Sequence, residues 1–333
     1  MATADQSELT HLIELSARLG RNPMLVQAAT GNTSIKTGGA LWIKASGHWL
    51  SQAQSTEIFL PADREEILSK VAAGVDPGSA QVMASGQMLR TSVETAMHAV
   101  LPWAVVLHVH SIHTIAWAVR CDARERLAEK LRGLPWSWVP YSLSGIPLAR
   151  EVEFSIADNP ESAIFVLGNH GLVVCGRNCE EAEALLDEVE RRLAVMPRKL
   201  LSAEPADAER LEQLASPGWL LPSDSSVHVL ATDSTAMSIL TGGTLYPCQA
   251  IFLGPDGEGT WKLVPGVGVL VRDSITQVAQ DTLTGLAAVV SRIEEGAPIR
   301  YLDEAEMVEL LCQNVYQYRE LVETNHARVG ALL

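Results

Sequence analysis

Two histidines separated by a single residue give the strongest chemical signal in the sequence. His108 and His110 end the apolar run VVLHVH at 105–110, which is typical of a buried strand. Because side chains alternate along a strand, residues i and i+2 project from the same face, so the two imidazoles converge. Their ring nitrogens can then bind one cation at about 2.0–2.1 Å. The pair therefore predicts a metal site.

A third histidine follows another apolar segment. His170 lies in the turn GNHG at 168–171. Three neutral imidazoles suit a catalytic Zn²⁺, because they leave its double charge available to polarise a substrate oxygen. We therefore expect Zn²⁺, or another divalent cation, on His108, His110 and His170. His113 lies at an odd spacing from His110 and is expected to be structural.

Glu94 admits two interpretations. The segment RTSVETAMH at 90–98 resembles a helix start, and Thr91 and Glu94 have the spacing of a capping box. Alternatively, the carboxylate faces the metal and moves a proton, since a carboxylate that is near Zn²⁺ but not permanently bound to it can act as general acid and base. His98, four residues further on, is expected to be a packing or hydrogen-bonding partner.

Two short turns of small residues are candidates for anion binding. GNTS at 31–34 and ASG at 45–47 expose backbone N–H groups and hydroxyls, which suit a phosphate. Most Gly-Asn turns, however, only reverse the chain. Lys36, Lys44 and Arg90 lie near these turns in sequence and could offset the negative charge of the chain.

Composition narrows the classes of protein. The chain has 333 residues with a net charge of −15 and a pI near 5.0, which argues against non-specific nucleic-acid binding. Five scattered cysteines without a close pair indicate a reducing compartment. The first residues lack the pattern of a signal peptide, and no apolar run approaches the roughly 20 residues of a membrane span. We expect a cytoplasmic protein with no membrane partner.

Periodicity and turn residues predict alternating helices and strands, and hence an α/β protein. Helices are predicted at 7–19, 85–100, 179–193 and 275–293. Strands are predicted at 40–45, 104–110, 163–167, 172–174, 227–230, 250–253 and 264–271, with a loop or edge strand at 139–149. The polar segment at 201–210 predicts a boundary between a catalytic domain, 1–203, and a smaller C-terminal α/β region, 210–333.

These motifs occur together and in this order in one family. GNTS, ASG, TSVETAMHA at 91–99, HVH at 108–110 and NHG at 169–171 resemble the motifs of class II aldolase/adducin proteins. Three longer segments are most similar to the aldolase half of bifunctional rhamnulose-1-phosphate aldolase/dehydrogenases: SVETAMHAVLP, LWIKASG and VPYSLSGIPLA. The resemblance covers about residues 10–300.

The resemblance implies a fold and a site. The fold would be a class II aldolase-like α/β/α domain with a central mixed sheet, followed by the smaller C-terminal domain. Zn²⁺ would lie on the three histidines, with Glu94 as catalytic acid/base. The positions that match those near the family's phosphate pocket are Asn32, Ser46, Gly47, Thr91 and Ser92. Relatives form tetramers, so a homo-oligomer, such as a tetramer, is expected.

The implied reaction is the cleavage of a ketose 1-phosphate to dihydroxyacetone phosphate and an aldehyde through an enediolate. Relatives also decarboxylate keto-acid phosphates or dehydrate ketose phosphates, and the motifs do not separate these reactions. A non-catalytic adducin-like binding module is a third interpretation, although that class lacks the metal histidines.

The tyrosine that acts on the aldehyde oxygen in relatives is left open among Tyr141, Tyr246, Tyr316 and Tyr318. No GxGxxG turn is present, since Gly266-Val267-Gly268 lacks the third glycine, so we expect no dehydrogenase half.

Overall fold

The fold is described from a computed structural model that covers residues 2–77, 81–84, 87–198, 207–254, 259–312 and 315–330. Its strands are β1 Asn32–Thr37, β2 Ala40–Lys44, β3 Phe59–Ala62, β4 Gln81–Ala84, β5 Gln87–Arg90, β6 Val105–Val109, β7 Trp136–Val139, β8 Ile164–Leu167, β9 Gly171–Gly176, β10 Trp219–Leu220, β11 Trp261–Val264 and β12 Gly268–Arg272. Its helices are α1 Ala2–Gly20, α2 Arg64–Ala72, α3 Thr95–Val100, α4 Ile112–Ala118, α5 Ala123–Lys130, α6 Ile146–Asp158, α7 Cys179–Leu193, α8 Ala208–Leu214, α9 Val229–Thr232, α10 Ser234–Thr241, α11 Gln277–Val290, α12 Glu304–Leu311 and α13 Val315–Gly330.

A central mixed sheet organises the first part of the chain. Its seven strands run in the order β3-β2-β1-β6-β9-β8-β7, and every pair is antiparallel except the parallel pair β7 and β8. All five residues of β6, the middle strand, are buried. The mixed sheet and the α/β class predicted from the sequence are confirmed, and β6 is positioned to present its side chains at the centre of the molecule.

Several predicted elements match the structure closely. Helix α7 has the predicted bounds, and its apolar side packs on the sheet beside β9. Helix α1 contains the predicted helix 7–19, α11 lies within 275–293, and β2, β6, β8 and β9 occupy the predicted strand segments. These elements combine a clear period with a cap or turn at the end, such as Asn178, whose side chain accepts from Glu181 N before α7.

Other predictions were wrong. The predicted helix 85–100 is a helix only from Thr95; residues 87–90 instead form β5, whose partner β4 satisfies its backbone groups, and residues 85–86 lie outside the described part. The predicted strand 227–230 is a 3₁₀ turn followed by α9, and 250–253 lies in a π-helical turn, Gln249–Leu253. Short apolar runs of this kind are equally compatible with buried helices.

Two further segments were divided differently from the prediction. The predicted strand 264–271 is a hairpin of β11 and β12 that turns at Gly266, where φ is 71°. In the predicted loop 139–149, α6 already begins at Ile146, because Pro147 is favourable in the first turn of a helix. The predicted domain boundary at 201–210 lies mostly outside the described residues and stays a prediction.

The C-terminal part, residues 207–330, packs on the first part over a shared core. It has a three-stranded sheet, β10-β12-β11, and helices of which α11 is the most buried. One apolar cluster joins side chains of α4, such as Ile112 and Ile115, to side chains of α11 such as Leu286. Within the described ranges, no helix is both long and apolar enough to cross a membrane.

Candidate metal centre and active site

His108 and His110 project from the same side at the end of the central strand. The predicted alternation is confirmed: their Nε2 atoms are 3.2 Å apart, and both side chains are buried. Strand β1 lies on one side of His108, with Asn32 as its register partner, and β9 lies on the other, with Val173. His108 is therefore held by strands on both sides, and His110 follows directly after β6.

The turn between β8 and β9 brings His170 to the same point. The His170 ring centroid lies 4.9 Å from that of His108 and 5.1 Å from that of His110. Asn169 precedes it with a φ of 51°, a left-handed conformation that asparagine tolerates better than most residues. At Gly171 a Cβ atom would lie 2.7 Å from the carbonyl oxygen of Val109, so the turn requires glycine to approach β6 this closely.

The three imidazoles fit a divalent metal ion. One ligand nitrogen from each histidine lies within 4.8 Å of the others. Nitrogens about 2.0–2.1 Å from a tetrahedral ion stand roughly 3.3 Å apart, close to the distance between the Nε2 atoms of His108 and His110. Burial lowers the pKa of His110 well below its usual value and that of His170 to about 4, so both rings are in the neutral form that binds metals.

Outer contacts orient two of the rings. His108 Nδ1 lies 3.1 Å from the carbonyl oxygen of Leu172, to which it donates, leaving Nε2 as the ligand atom. His110 Nδ1 lies 3.4 Å from the Sγ atom of Cys248, a buried residue of the C-terminal part. His113 takes no part in the cluster, because its Nδ1 accepts from Val195 N at 3.2 Å. The expectation that His113 is structural is supported by this bond.

Glu94 lies against the histidines and does not cap a helix with its side chain. Its Oε2 is 3.4 Å from His108 Nε2, and its Oε1 is 3.3 Å from His170 Nε2. Glu94 occupies the N-cap position of α3, yet its carboxylate makes no cap hydrogen bond. The capping-box interpretation is therefore wrong, and the carboxylate is free to face the metal site.

The carboxylate of Glu94 is oriented by two donors. Asn32 Nδ2 donates to Oε2 at 2.7 Å, and Ser144 Oγ donates to Oε1 at 3.1 Å. Burial alone would raise the pKa of Glu94, but the adjoining His108 and His170 and the Asn32 amide hold it well below the usual range. Glu94 is therefore an ionised, positioned base.

A chain of hydrogen bonds behind Glu94 fixes Asn32. Because the Asn32 amide nitrogen donates to Glu94, its Oδ1 accepts from His98 Nε2 at 2.5 Å, and the other nitrogen of His98 accepts from Ser34 Oγ at 2.7 Å. This bonding role of His98 was expected. The GNTS turn, a candidate for anion binding, thus uses the Asn32 side chain to orient the Glu94 carboxylate.

Comparison with known proteins identifies the family of the chain. Residues 10–196 match the family model described as "Class II Aldolase and Adducin N-terminal domain". The chain belongs to this family. It is 28% identical over 186 residues to an uncharacterized oxidoreductase, YuxG, of Bacillus subtilis, covering 51% of this chain and 26% of that one. The chain thus spans about a quarter of the length of the curated relative it matches.

Solved structures of class II aldolases were also matched. The N-terminal class II aldolase domain of a Thermoplasma acidophilum protein is 23% identical, with a TM-score of 0.46 over 55% of this chain and 90% of that one. An L-fuculose-1-phosphate aldolase from Thermus thermophilus is 18% identical, with a TM-score of 0.38 over 56% of this chain and 93% of that one.

In this class II aldolase/adducin family member, the predicted substrate residues separate into two groups. Ser46, Gly47 and Ser92 line a cavity of about 300 Å³ beside Glu94, as does Asn32. Thr91 is buried, does not line the cavity, and forms a β-bridge with Ala45. The structure therefore brings four of the five positions to the site.

Two cations line the same cavity, Lys44 and Arg90. Lys44 is buried, and its Nζ donates to the carbonyl oxygens of Ala29 at 3.1 Å and His48 at 2.6 Å. Burial lowers the pKa of Lys44 to about 7. Lys36 lies elsewhere, with its Nζ donating to the carbonyl oxygen of Trp103 at 2.7 Å. The cavity thus has a basic side close to the metal site.

Apart from two of the candidate tyrosines, most of the remaining lining residues were not predicted as part of the site. Tyr141 and Ser144 come from the VPYSLSG segment, which was predicted as a loop or edge strand and was used only for the family resemblance. Cys248 and most of the apolar lining come from the C-terminal part, where no motif marks them. Of the four candidate tyrosines, Tyr141 and Tyr318 line the cavity, Tyr246 does not, and the Tyr316 side chain lies outside the described part.

Proposed function

We propose that this protein is a Zn²⁺-dependent aldolase that cleaves a ketose 1-phosphate into dihydroxyacetone phosphate and an aldehyde. The observation that carries the proposal is the contact between the Glu94 carboxylate and two of three converging, buried imidazoles. A carboxylate in contact with this cluster is placed to move a proton on a substrate held beside it. Family membership supports the same class of chemistry.

His108, His110 and His170 would hold the ion. When bound, a divalent ion supplies the positive charge that stabilises an enediolate. Glu94 moves the proton on the donor carbon: it returns the proton to the enediolate in cleavage and removes it in the reverse, carbon–carbon bond-forming direction. The Asn32 and Ser144 donors keep the carboxylate in one orientation during both steps.

The substrate phosphate would be bound on the cationic side of the cavity. Arg90 supplies charge there, Lys44 adds to it when its amine is protonated, and Ser46 and Ser92 supply hydroxyls. The backbone N–H of Ser46 is already used, since it donates to the carbonyl oxygen of Arg90 at 2.8 Å. Recognition by side chains, rather than by the amides of the ASG turn, is therefore favoured at this residue.

Tyr141 is our candidate for the group that acts on the aldehyde oxygen: its phenol donates a proton to that oxygen in condensation, and the phenolate form takes the proton back in cleavage. It lines the cavity, and burial raises its pKa to about 12, so the phenol is protonated at neutral pH. A neutral phenol suits the condensation direction as a proton donor to the developing alkoxide.

The test is a substrate screen of the Zn²⁺-loaded full chain. Ketose 1-phosphates, ketose phosphates for dehydration and 3-keto-acid phosphates would be compared, and dihydroxyacetone phosphate, dehydrated product and CO₂ would each be measured. The proposal predicts dihydroxyacetone phosphate as the main product from at least one ketose 1-phosphate. Release of CO₂ or a dehydrated product alone would assign a different reaction to the same site and contradict the aldolase proposal.

A further inference from the structure

The cavity beside the metal site has two unlike sides. Every charged side chain that lines it in the described part of the chain comes from before residue 100, namely Lys44, Arg90 and Glu94. The C-terminal part contributes nine lining residues, none of them charged: Pro247, Cys248, Ile251, Phe252, Leu310, Val315, Gln317, Tyr318 and Leu321.

The apolar side is a packed surface of the fold. Phe252 and Tyr318 pack with ring centroids 5.9 Å apart, and Phe252 is buried. Leu310 and Val315 are also buried and line the cavity, and Leu310 belongs to an apolar cluster behind it. Leu321 packs against Gly47 of the ASG turn, where a Cβ atom would approach it to 2.9 Å. The apolar side therefore begins directly beside the polar one.

A polyhydroxylated substrate end would lose water against this surface and find few hydrogen-bonding partners. A buried hydroxyl without a partner is unfavourable, whereas each buried methylene is worth about fourfold in affinity. Tyr318 and Gln317 are the polar side chains that the C-terminal part adds, besides the weakly polar thiol of Cys248. The apolar side thus favours carbon over oxygen on the substrate end that it contacts.

We propose that the substrate carries a branched alkyl or aryl group at the end away from the phosphate, so that the aldehyde product is apolar. This inference rests on the proposed function, because it assumes that the phosphate and the reacting carbons occupy the polar side. It names a substrate class that differs from an unmodified sugar phosphate. The C-terminal part would then select the aldehyde, and the metal site would perform the cleavage.

The test is a binding measurement that needs no turnover. Two phosphoglycolate hydroxamates would be compared by calorimetry on the Zn²⁺-loaded full chain. One compound carries a 2-methylbutyl group on nitrogen and the other a 2,3-dihydroxypropyl group. The two groups have the same number and branching of heavy atoms, and the second has hydroxyl oxygens in place of two methyl carbons of the first. The N-substituent stands where the aldehyde carbon would be attached. We expect the 2-methylbutyl compound to bind at least about tenfold more tightly.

A matched pair of variants locates the preference. Val315→Thr replaces a methyl by a hydroxyl in the cavity, and Val308→Thr makes the same change on α12 at a side chain that is 57% exposed. We expect Val315→Thr to reduce the preference at least about threefold and Val308→Thr to leave it unchanged.

The outcomes separate this inference from the proposed function. If both compounds bind and the dihydroxypropyl compound binds equally well or better, the apolar-substrate inference is wrong and the aldolase proposal stands. If neither compound binds to folded, Zn²⁺-loaded protein, the proposed function itself fails, and the inference fails with it. The wild-type comparison decides between these results even if a variant does not fold.

Discussion

The two parts of this molecule contribute to one cavity in different ways. The first part supplies the metal-binding imidazoles and Glu94 from strand ends and tight turns, where few residue types are compatible with the geometry. The C-terminal part supplies an apolar side from packed helices, where many apolar residues would serve. Reactive groups are therefore marked by motifs in the sequence, whereas the surface that contacts the rest of the substrate is not.

The two parts are nevertheless coupled at the metal site. Asn169, beside His170, donates from Nδ2 to the carbonyl oxygens of Leu245 and Arg300, both at 2.8 Å. Cys248 contacts His110 from the same side. The C-terminal part therefore also holds His110 and the turn that carries His170 in place. Substitutions can separate this contribution from that of the first part.

The largest expected effect is in the first part. Glu94→Gln keeps the shape and removes the base, so turnover should fall roughly 10²–10⁴-fold while bound zinc stays near the wild-type amount. Glu183→Gln is the control, since Glu183 forms an exposed ion pair with Arg18. Steady-state kinetics and metal analysis measure both quantities. A Glu94→Gln enzyme with wild-type turnover would refute the catalytic assignment.

The next effect tests the coupling between the parts. Asn169→Ala removes the two hydrogen bonds that Nδ2 donates and the one that Oδ1 accepts from Arg300 Nη1 at 3.1 Å, and it puts alanine at positive φ. The free energy of unfolding should therefore fall by about 2–4 kcal/mol. Asn169→Gly loses the same hydrogen bonds without the backbone strain and should cost about 1 kcal/mol less. Denaturant unfolding measures both. Equal stability of Asn169→Ala and wild type would mean that the parts are not coupled here.

A smaller effect is expected at Cys248. Cys248→Val removes the partner of His110 Nδ1, so zinc affinity should fall about tenfold, the lower end of the range for outer contacts of metal ligands. Cys248→Ser, which keeps a hydrogen-bonding atom, should lie closer to wild type. Cys175→Val is the control, because Cys175 is buried in the core away from the cluster. Competition with a chelator gives the affinities, and an unchanged Cys248→Val value would remove Cys248 from the site.

The smallest effect is a pH dependence within the first part. Burial raises the pKa of Glu190 to about 7, and its carboxylate accepts from Ser111 Oγ at 2.5 Å. Because the pKa of Glu190 is raised in the folded state, its protonated carboxyl group stabilises the folded protein. This stabilisation is fully present below the unfolded pKa of 4.5 and is lost as the pH rises through about 7. Between pH 6 and pH 8, wild type should lose about 1 kcal/mol of unfolding free energy relative to Glu190→Gln. Parallel pH profiles of the two proteins would contradict this.

The sequence predicts the first part better than the second for a physical reason. The HxH strand and α7 each carry a strong period, and the close approach at Gly171 restricts that position to one residue type. The apolar runs at 227–230 and 250–253 have no helical or strand period. They fold as helical turns because packing against the surrounding core, and not the local pattern, determines their secondary structure. No local pattern relates Cys248 to His110, 138 residues away.

The prediction at Glu94 lies between these cases. Its spacing from Thr91 fits a capping box, and only the positions of Asn32 and His108 on neighbouring strands show that the carboxylate turns to the histidines. The same holds for Asn32, which matches a phosphate-pocket position and uses its amide on Glu94. Local spacing identified both residues, whereas their bonding partners depend on strand register.

The central claim is that His108, His110 and His170 hold one divalent ion, and metal analysis tests it most directly. Wild type, His108→Ala/His110→Ala and His113→Ala would be exposed to the same mild chelator, loaded with Zn²⁺, dialysed and analysed for zinc per chain by mass spectrometry. We predict about one ion per chain for wild type and His113→Ala, and almost none for the double variant. A folded double variant that retains the wild-type amount of zinc would contradict the account.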